Sequence, residues 1–234
     1  MKMHYTLTDL VFTVGAVALC GCLIAAAAGR PADKAEVSQC AFNLKKMGEA
    51  AFRFTDDHNG RLPESGFMDR NWQRKLLPYL TGSSQPDPKK VQPMFHCPAD
   101  RTPLPGYLAR NPKYIGKNSY CANAYVIDIE GVDLDNDHVK GGQELKKLYG
   151  PDTIILFAED HTRRNSIGQG PSVKFDRKGE YEYTIPNGTP ENDPGKAGYH
   201  GGRNNYLMLD GAVEFETYEY TVDPFFNKWI IRCF

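Results

Sequence analysis

Three groups of residues in this chain carry side chains that could do chemistry. In YHGGRNNYLMLDGAVEF (199–215), His200 and Asp210 stand nine intervening residues apart, and Glu159, Asp160 and His161 add acids and bases upstream. An imidazole and a carboxylate could move a proton between them, as a hydrolase requires. Such a site also needs a nucleophile within reach of its base. The chain offers no Gly-x-Ser-x-Gly elbow, no His-Glu-x-x-His helix and no phosphate loop. An enzyme is therefore the least supported class, and no residue is assigned as catalytic.

The second group is DLDNDHVKGGQE (133–144), where Asp133, Asp135, Asp137 and Glu144 fill positions 1, 3, 5 and 12 of an EF-hand-like loop. Hard oxygen ligands at alternate positions can wrap one calcium ion. His138 replaces the glycine of position 6 and Lys140 the apolar residue of position 8. These departures favour an acidic, solvated loop over a metal site. Calcium is still the one cofactor that the sequence offers.

The third group is the six cysteines. Cys20 and Cys22 lie in an apolar N-terminal stretch. Cys40, Cys97, Cys121 and Cys233 lie beyond it, and none forms a Cys-x2-Cys zinc pair. In an oxidising compartment the four allow two disulfides in three connectivities; the alternative is four buried thiols.

The elements that position these residues follow from patterning. LVFTVGAVALCGCLIAAAA (10–28) holds 19 residues without a charge. As a helix it spans roughly 28 Å against a hydrocarbon core of about 30 Å. A retained membrane helix is the leading reading. A secretory signal cut near Ala26–Ala28 and a lipoprotein signal ending at Cys22 are the others. Gly29-Arg30-Pro31 interrupts the stretch. Val37, Cys40, Leu44, Met47, Ala51 and Phe54 then recur at helical spacing, with Lys45, Lys46, Glu49 and Arg53 on the other side. DDHNG (56–60) ends this amphipathic helix. NWQRKLLPYL (71–80) reads as a short helix stopped near Pro78, and 81–118 as a proline-rich loop region.

Strands are expected at 122–129, 153–158, 179–185, in the arms around Asp210-Gly211 and at 228–232. With Asp210 and Gly211 as a two-residue tip, Met208 faces Val213 and Tyr206 faces Phe215. These four then form one apolar face. Asp210 is thereby a turn residue, and His200 a loop residue bonded to backbone or to Asp210. Helix first and strands after imply an α+β fold with an antiparallel sheet. Balanced charge, 28 basic against 29 acidic residues, and the lack of a basic stripe argue against nucleic acid as a partner.

Taken together, these features resemble prepilin-type proteins that carry a C-terminal H-x9-DG motif, relatives of type II secretion pseudopilins. The resemblance rests on the apolar N-terminal helix after a short basic tail, CAFNLKKMGEAAFRFTDDHNGRLP (40–63), FHCPAD (95–100), and His200 with Asp210-Gly211. At the start, Tyr5, Thr6, Leu7 and Asp9 align with the prepilin pattern, while His4 stands where prepilins carry the glycine of the cleavage site.

The resemblance implies a pilin-like α+β fold. Its long helix has a membrane-spanning first half (1–30) and an amphipathic continuation (31–58), packed on a small antiparallel sheet in an extracytoplasmic domain (59–234). It implies a single-pass inner-membrane protein with a structural role, whose partners are other pilin-like subunits and inner-membrane secretion components. It also implies a Cys40–Cys97 disulfide, with Cys121–Cys233 as the accompanying pair. The competing class is a secreted, calcium-dependent binding module released by signal peptidase.

Overall fold

The structure is a computed structural model that describes residues 31–63, 71–83, 87–110, 116–123, 126–127, 154–161, 167, 172–175, 181–183 and 199–221. The apolar segment 10–28, Tyr5, Thr6, Leu7 and Asp9, the acidic loop with Asp133, Asp135, Asp137 and Glu144, the stretch 228–232 and Cys233 lie outside these residues. Among the described residues no helix is long and apolar enough to cross a membrane.

One long helix lies across one sheet, an α+β architecture. Helix α1 (Pro31–Asp57) buries the side that its periodicity marks. Cys40, Leu44, Met47, Ala51 and Phe54 are in the core, while Lys45 and Arg53 are exposed. After Asp57 the chain turns, and the His58 and Gly60 N–H groups both donate to the Thr55 carbonyl. Helix α2 (Trp72–Thr81) starts where Asn71 accepts the Arg74 N–H at 2.8 Å, a side-chain cap.

Contrary to the expected stop, α2 runs through Pro78. The lost backbone donor is outweighed by burial of Trp72, Leu76 and Leu77, and Trp72 stacks on Phe157 at 4.7 Å between ring centroids. Two short helical turns follow, α3 (Pro88–Val91) with a 3-10 turn (Gln92–Met94), and α4 (Gly106–Ala109).

The strands are β1 (Tyr120–Asn123), β2 (Ile155–Glu159), β3 (Ser172–Phe175), β4 (Tyr181–Tyr183), β5 (Asn204–Met208) and β6 (Val213–Glu216), before a last turn α5 (Tyr218–Thr221). Their order is β4-β3-β1-β2-β5-β6. Neighbours from β1 to β6 across β2 and β5 are antiparallel. The β3–β4 hairpin joins the far edge of β1, with β3 parallel to β1, so the sheet is mixed rather than wholly antiparallel. Strand β1 is shorter than expected, because residues 126–127 already form a turn.

The hairpin at Asp210-Gly211 differs from expectation by one residue. Leu207 pairs with Val213, Tyr206 with Glu214 and Asn205 with Phe215. The Gly211 N–H donates to the Met208 carbonyl and the Met208 N–H to the Ala212 carbonyl, which closes a three-residue loop. Gly211 has φ +89, the left-handed position that such a loop needs after its first turn.

One residue of register moves a strand's whole side-chain set to the other face. Val213 and Phe215 therefore share the helix side with Leu207 and Asn205, not with Tyr206 and Met208. Both faces of β5 are covered, and every residue from 204 to 209 is buried.

A β-bulge in β2 sets the site. Ile155 pairs with Met208 but Phe157 with Leu207, so β2 carries one residue more than β5 across this step. Leu156 and Phe157 both join the helix-side core, Ala158 does not, and Glu159 comes back to the helix side opposite Tyr120.

Candidate functional site

Glu159 is a carboxylate with no exposure beneath the N-terminal part of α1. Its Oε1 lies 2.9 Å from His200 Nε2, a pair whose side chains are 0% and 3% exposed. Asn205 donates twice to the same carboxylate, from its backbone N–H to Oε2 at 2.8 Å and from Nδ2 to Oε1 at 3.1 Å. Three donors on a buried carboxylate meet the condition that burial of such a group imposes. The Asn205 amide also reaches the Val37 carbonyl of α1 at 3.4 Å, so the cluster ties helix to sheet.

Against this pair lies the Cys40–Cys97 disulfide, which closes a sequence separation of 57 residues. The Cys97 sulfur is 3.7 Å from Glu159 Oε1 and 3.6 Å from His200 Nε2. One turn after Cys40, Asn43 Nδ2 faces the Pro93 and His96 carbonyls and the Tyr120 hydroxyl, each at 3.2 Å. The segment holding Cys97 is fastened in turn by Asp100. That carboxylate accepts from Ser119 Oγ at 2.7 Å and the Thr102 N–H at 2.9 Å, and pairs with Lys117 Nζ at 3.2 Å. Burial lowers the Lys117 pKa, and Asp100 opposes that effect.

The turn that presents His200 is closed by its own N–H on the Arg203 carbonyl at 3.0 Å. Gly201 and Gly202 have φ of +68 and +92, which permits so tight a return. Asp210 is elsewhere: it is exposed, and its Oδ1 accepts the Ala212 N–H at 2.8 Å. The carboxylate partner of His200 is thus Glu159 and not Asp210.

Of the other acids and bases, Asp160 is buried with its N–H on the Ser119 carbonyl at 2.7 Å. His161 stacks on Tyr199 at 3.7 Å and meets His200 edge-on at 6.2 Å. Burial, with His200 second, lowers the His161 pKa to about 2. Its Nε2 is buried and has no hydrogen-bond partner among the described residues. Cys121 is a buried free thiol, and Cys233, its expected partner, lies outside the described residues. Cys121 sits on the sheet face away from α1, and burial raises its pKa well above the ordinary thiol value.

Three stretches far apart in sequence, at Cys40–Asn43, Cys97–Asp100 and His200–Asn205, therefore meet at one buried point on Glu159. The pairing of Glu159 with Asn205 was not anticipated from sequence. Compared with family models, curated proteins and solved structures, the chain has no match.

Proposed function

We propose that the chain is a structural, membrane-anchored pseudopilin-like subunit of a type II secretion or type IV pilus-like system. In this reading the segment 10–28 holds it in the inner membrane, and the α+β domain lies outside the cytoplasm. Its partners are other pilin-like subunits and inner-membrane secretion components. The observation that carries the reading is the convergence on Glu159. Cys40, Cys97 and His200, one from each stretch of the described domain that supports the resemblance, meet there and fasten α1. A helix that leads from a membrane into a head domain needs such a fastening, because force along the helix would otherwise peel it from the sheet.

The test is mass spectrometry of the native N-terminus together with a high-salt wash of membranes. An intact start, or a start at Tyr5, with the chain retained on membranes is expected. A start near Gly29 with release into the soluble fraction would overturn the reading in favour of a secreted module.

A further inference from the structure

The disulfide, the carboxylate and the imidazole form a set whose chemistry exceeds a staple. Cys40, Cys97, Glu159 and His200 each offer one ligand atom, and all four atoms lie within 4.8 Å of one another. They come from α1, the loop after the 3-10 turn, the end of β2 and the 199–202 turn. Two thiolates, an imidazole and a carboxylate are a zinc-type donor set, and four ligands close a tetrahedron.

Distances decide whether an ion would fit. With metal–sulfur bonds of about 2.3 Å and metal–nitrogen or metal–oxygen bonds of about 2.0 Å, the tetrahedron's edges are roughly 3.3–3.8 Å. The Cys97 sulfur already stands 3.7 Å from the Glu159 oxygen and 3.6 Å from the His200 nitrogen. The His200–Glu159 contact of 2.9 Å must widen by a few tenths of an ångström. The larger change is between the two sulfurs, which must part from bonding distance. Asn205 supplies the outer support: its N–H holds Oε2, and its Nδ2, at 3.1 Å from Oε1, steadies the oxygen that turns to an ion. His200 rides on a turn whose Gly201, Gly202 and Arg203 are exposed, so it is the ligand that can swing aside to admit one.

We propose that reduction of the Cys40–Cys97 disulfide converts this junction into a binding site for one zinc-class divalent ion, held by both sulfurs, His200 Nε2 and Glu159. A dithiol reductant supplies two electrons and two protons. The protein disulfide becomes two thiols, and the reductant leaves as its own disulfide. The ion then displaces the two thiol protons to solvent and binds the thiolates. The junction is closed in both states, by a covalent bond when oxidised and by the ion when reduced. The proposal stands whether or not the chain is a pilin-like subunit.

The experiment uses the full-length chain in mild detergent, with Cys20, Cys22 and Cys233 changed to serine and the buried Cys121 to alanine so that other thiols do not bind metal. A phosphine reductant opens the disulfide without competing for metal as a dithiol does. Cobalt(II) is then titrated, and zinc is used to displace it. Expected is one equivalent of cobalt on the reduced chain only, with tetrahedral ligand-field bands and thiolate-to-cobalt charge transfer. His200→Ala and Glu159→Gln should each weaken binding by about 10–100-fold or more, and changing both Cys40 and Cys97 to serine should abolish the charge-transfer band. A reduced chain that loses its near-ultraviolet circular dichroism and regains it with one equivalent of zinc also supports the proposal. It is overturned if the reduced chain, folded or unfolded, neither binds cobalt nor refolds with zinc. Cobalt binding unchanged by His200→Ala and Glu159→Gln overturns it as well.

Discussion

Near Cys40, helix α1 is tied by a disulfide to the Cys97 loop, and to the sheet by the Asn43 amide on the Tyr120 hydroxyl and by the Asn205 amide on the Val37 carbonyl, beside the buried Glu159–His200 pair. Two turns further on, it meets the same sheet through an apolar contact. There Gly48 lies so close to β5 that an added Cβ would stand 2.8 Å from Leu207 Cδ2, and Phe52 lies beside Gly211 of the hairpin loop. The first contact is directional and fails if one partner is removed. The second depends on shape and fails if something is added. The difference shows how one helix can be located twice: the polar end fixes its position along the sheet, and the apolar end fixes its height above it.

Breaking the polar end should cost most. Glu159→Ala leaves His200 and two Asn205 donors facing a cavity. A loss of about 3–5 kcal/mol is expected, since three buried donors lose their acceptor together, at about 1–3 kcal/mol for each buried group left unsatisfied. Urea unfolding of the wild type and the variant measures it. A loss below about 1 kcal/mol would mean that the cluster is not what holds α1.

Next in size is the cross-link. Changing both Cys40 and Cys97 to serine releases a loop of 57 residues, for which the chain-entropy account gives about 4 kcal/mol, with native disulfides spanning about 2–5 kcal/mol. Thermal unfolding of the double variant beside the wild type checks this. A variant as stable as the wild type would assign the fastening to Glu159 and its donors alone.

At the apolar end, Gly48→Val should cost about 1–3 kcal/mol, through overpacking against Leu207 and a branched residue in a helix. Combining it with Glu159→Ala sharpens the comparison. If the two ends act separately, the losses add to within about 0.5 kcal/mol. A larger departure from additivity in urea unfolding would make them one unit.

How much of this was legible in the sequence differs between the two ends. The buried side of α1 is written in the spacing of Cys40, Leu44, Met47, Ala51 and Phe54, because a helix repeats its facing every 3.6 residues. The turn at Asp210-Gly211 was legible as well, but not its register. Asp-Gly suits a two-residue loop, and it equally suits a three-residue loop that ends on a left-handed glycine; nothing local separates them.

The site was the least legible part. In Ala158-Glu159-Asp160-His161 three neighbours could have met His200. What selects Glu159 is the bulge at Leu156, which depends on the pairing of β2 with β5 rather than on residues near the site. Pro78 misled for a related reason, since burial of Trp72 and Leu77 is a tertiary matter that overrides a local stop signal.

The smallest expected effect falls on the one polar atom that the cluster leaves unused. His161 follows Glu159 by two residues and lies flat on Tyr199, yet its Nε2 has no hydrogen-bond partner among the described residues. Burial keeps the ring uncharged through the neutral range, with a pKa of about 2. If the imidazole serves only as a stacking surface, His161→Phe keeps the ring on Tyr199 and removes a buried nitrogen that lacks a partner. An unsatisfied buried group costs about 1–3 kcal/mol, while a slightly larger ring costs something in packing. The variant should therefore lie within about 1 kcal/mol of the wild type or be more stable, as read from its urea midpoint. A loss above about 2 kcal/mol would show that the nitrogen has a partner in solution. His161 would then join Glu159 and His200 as part of the polar fastening, and the boundary drawn around that end of the helix would have to move.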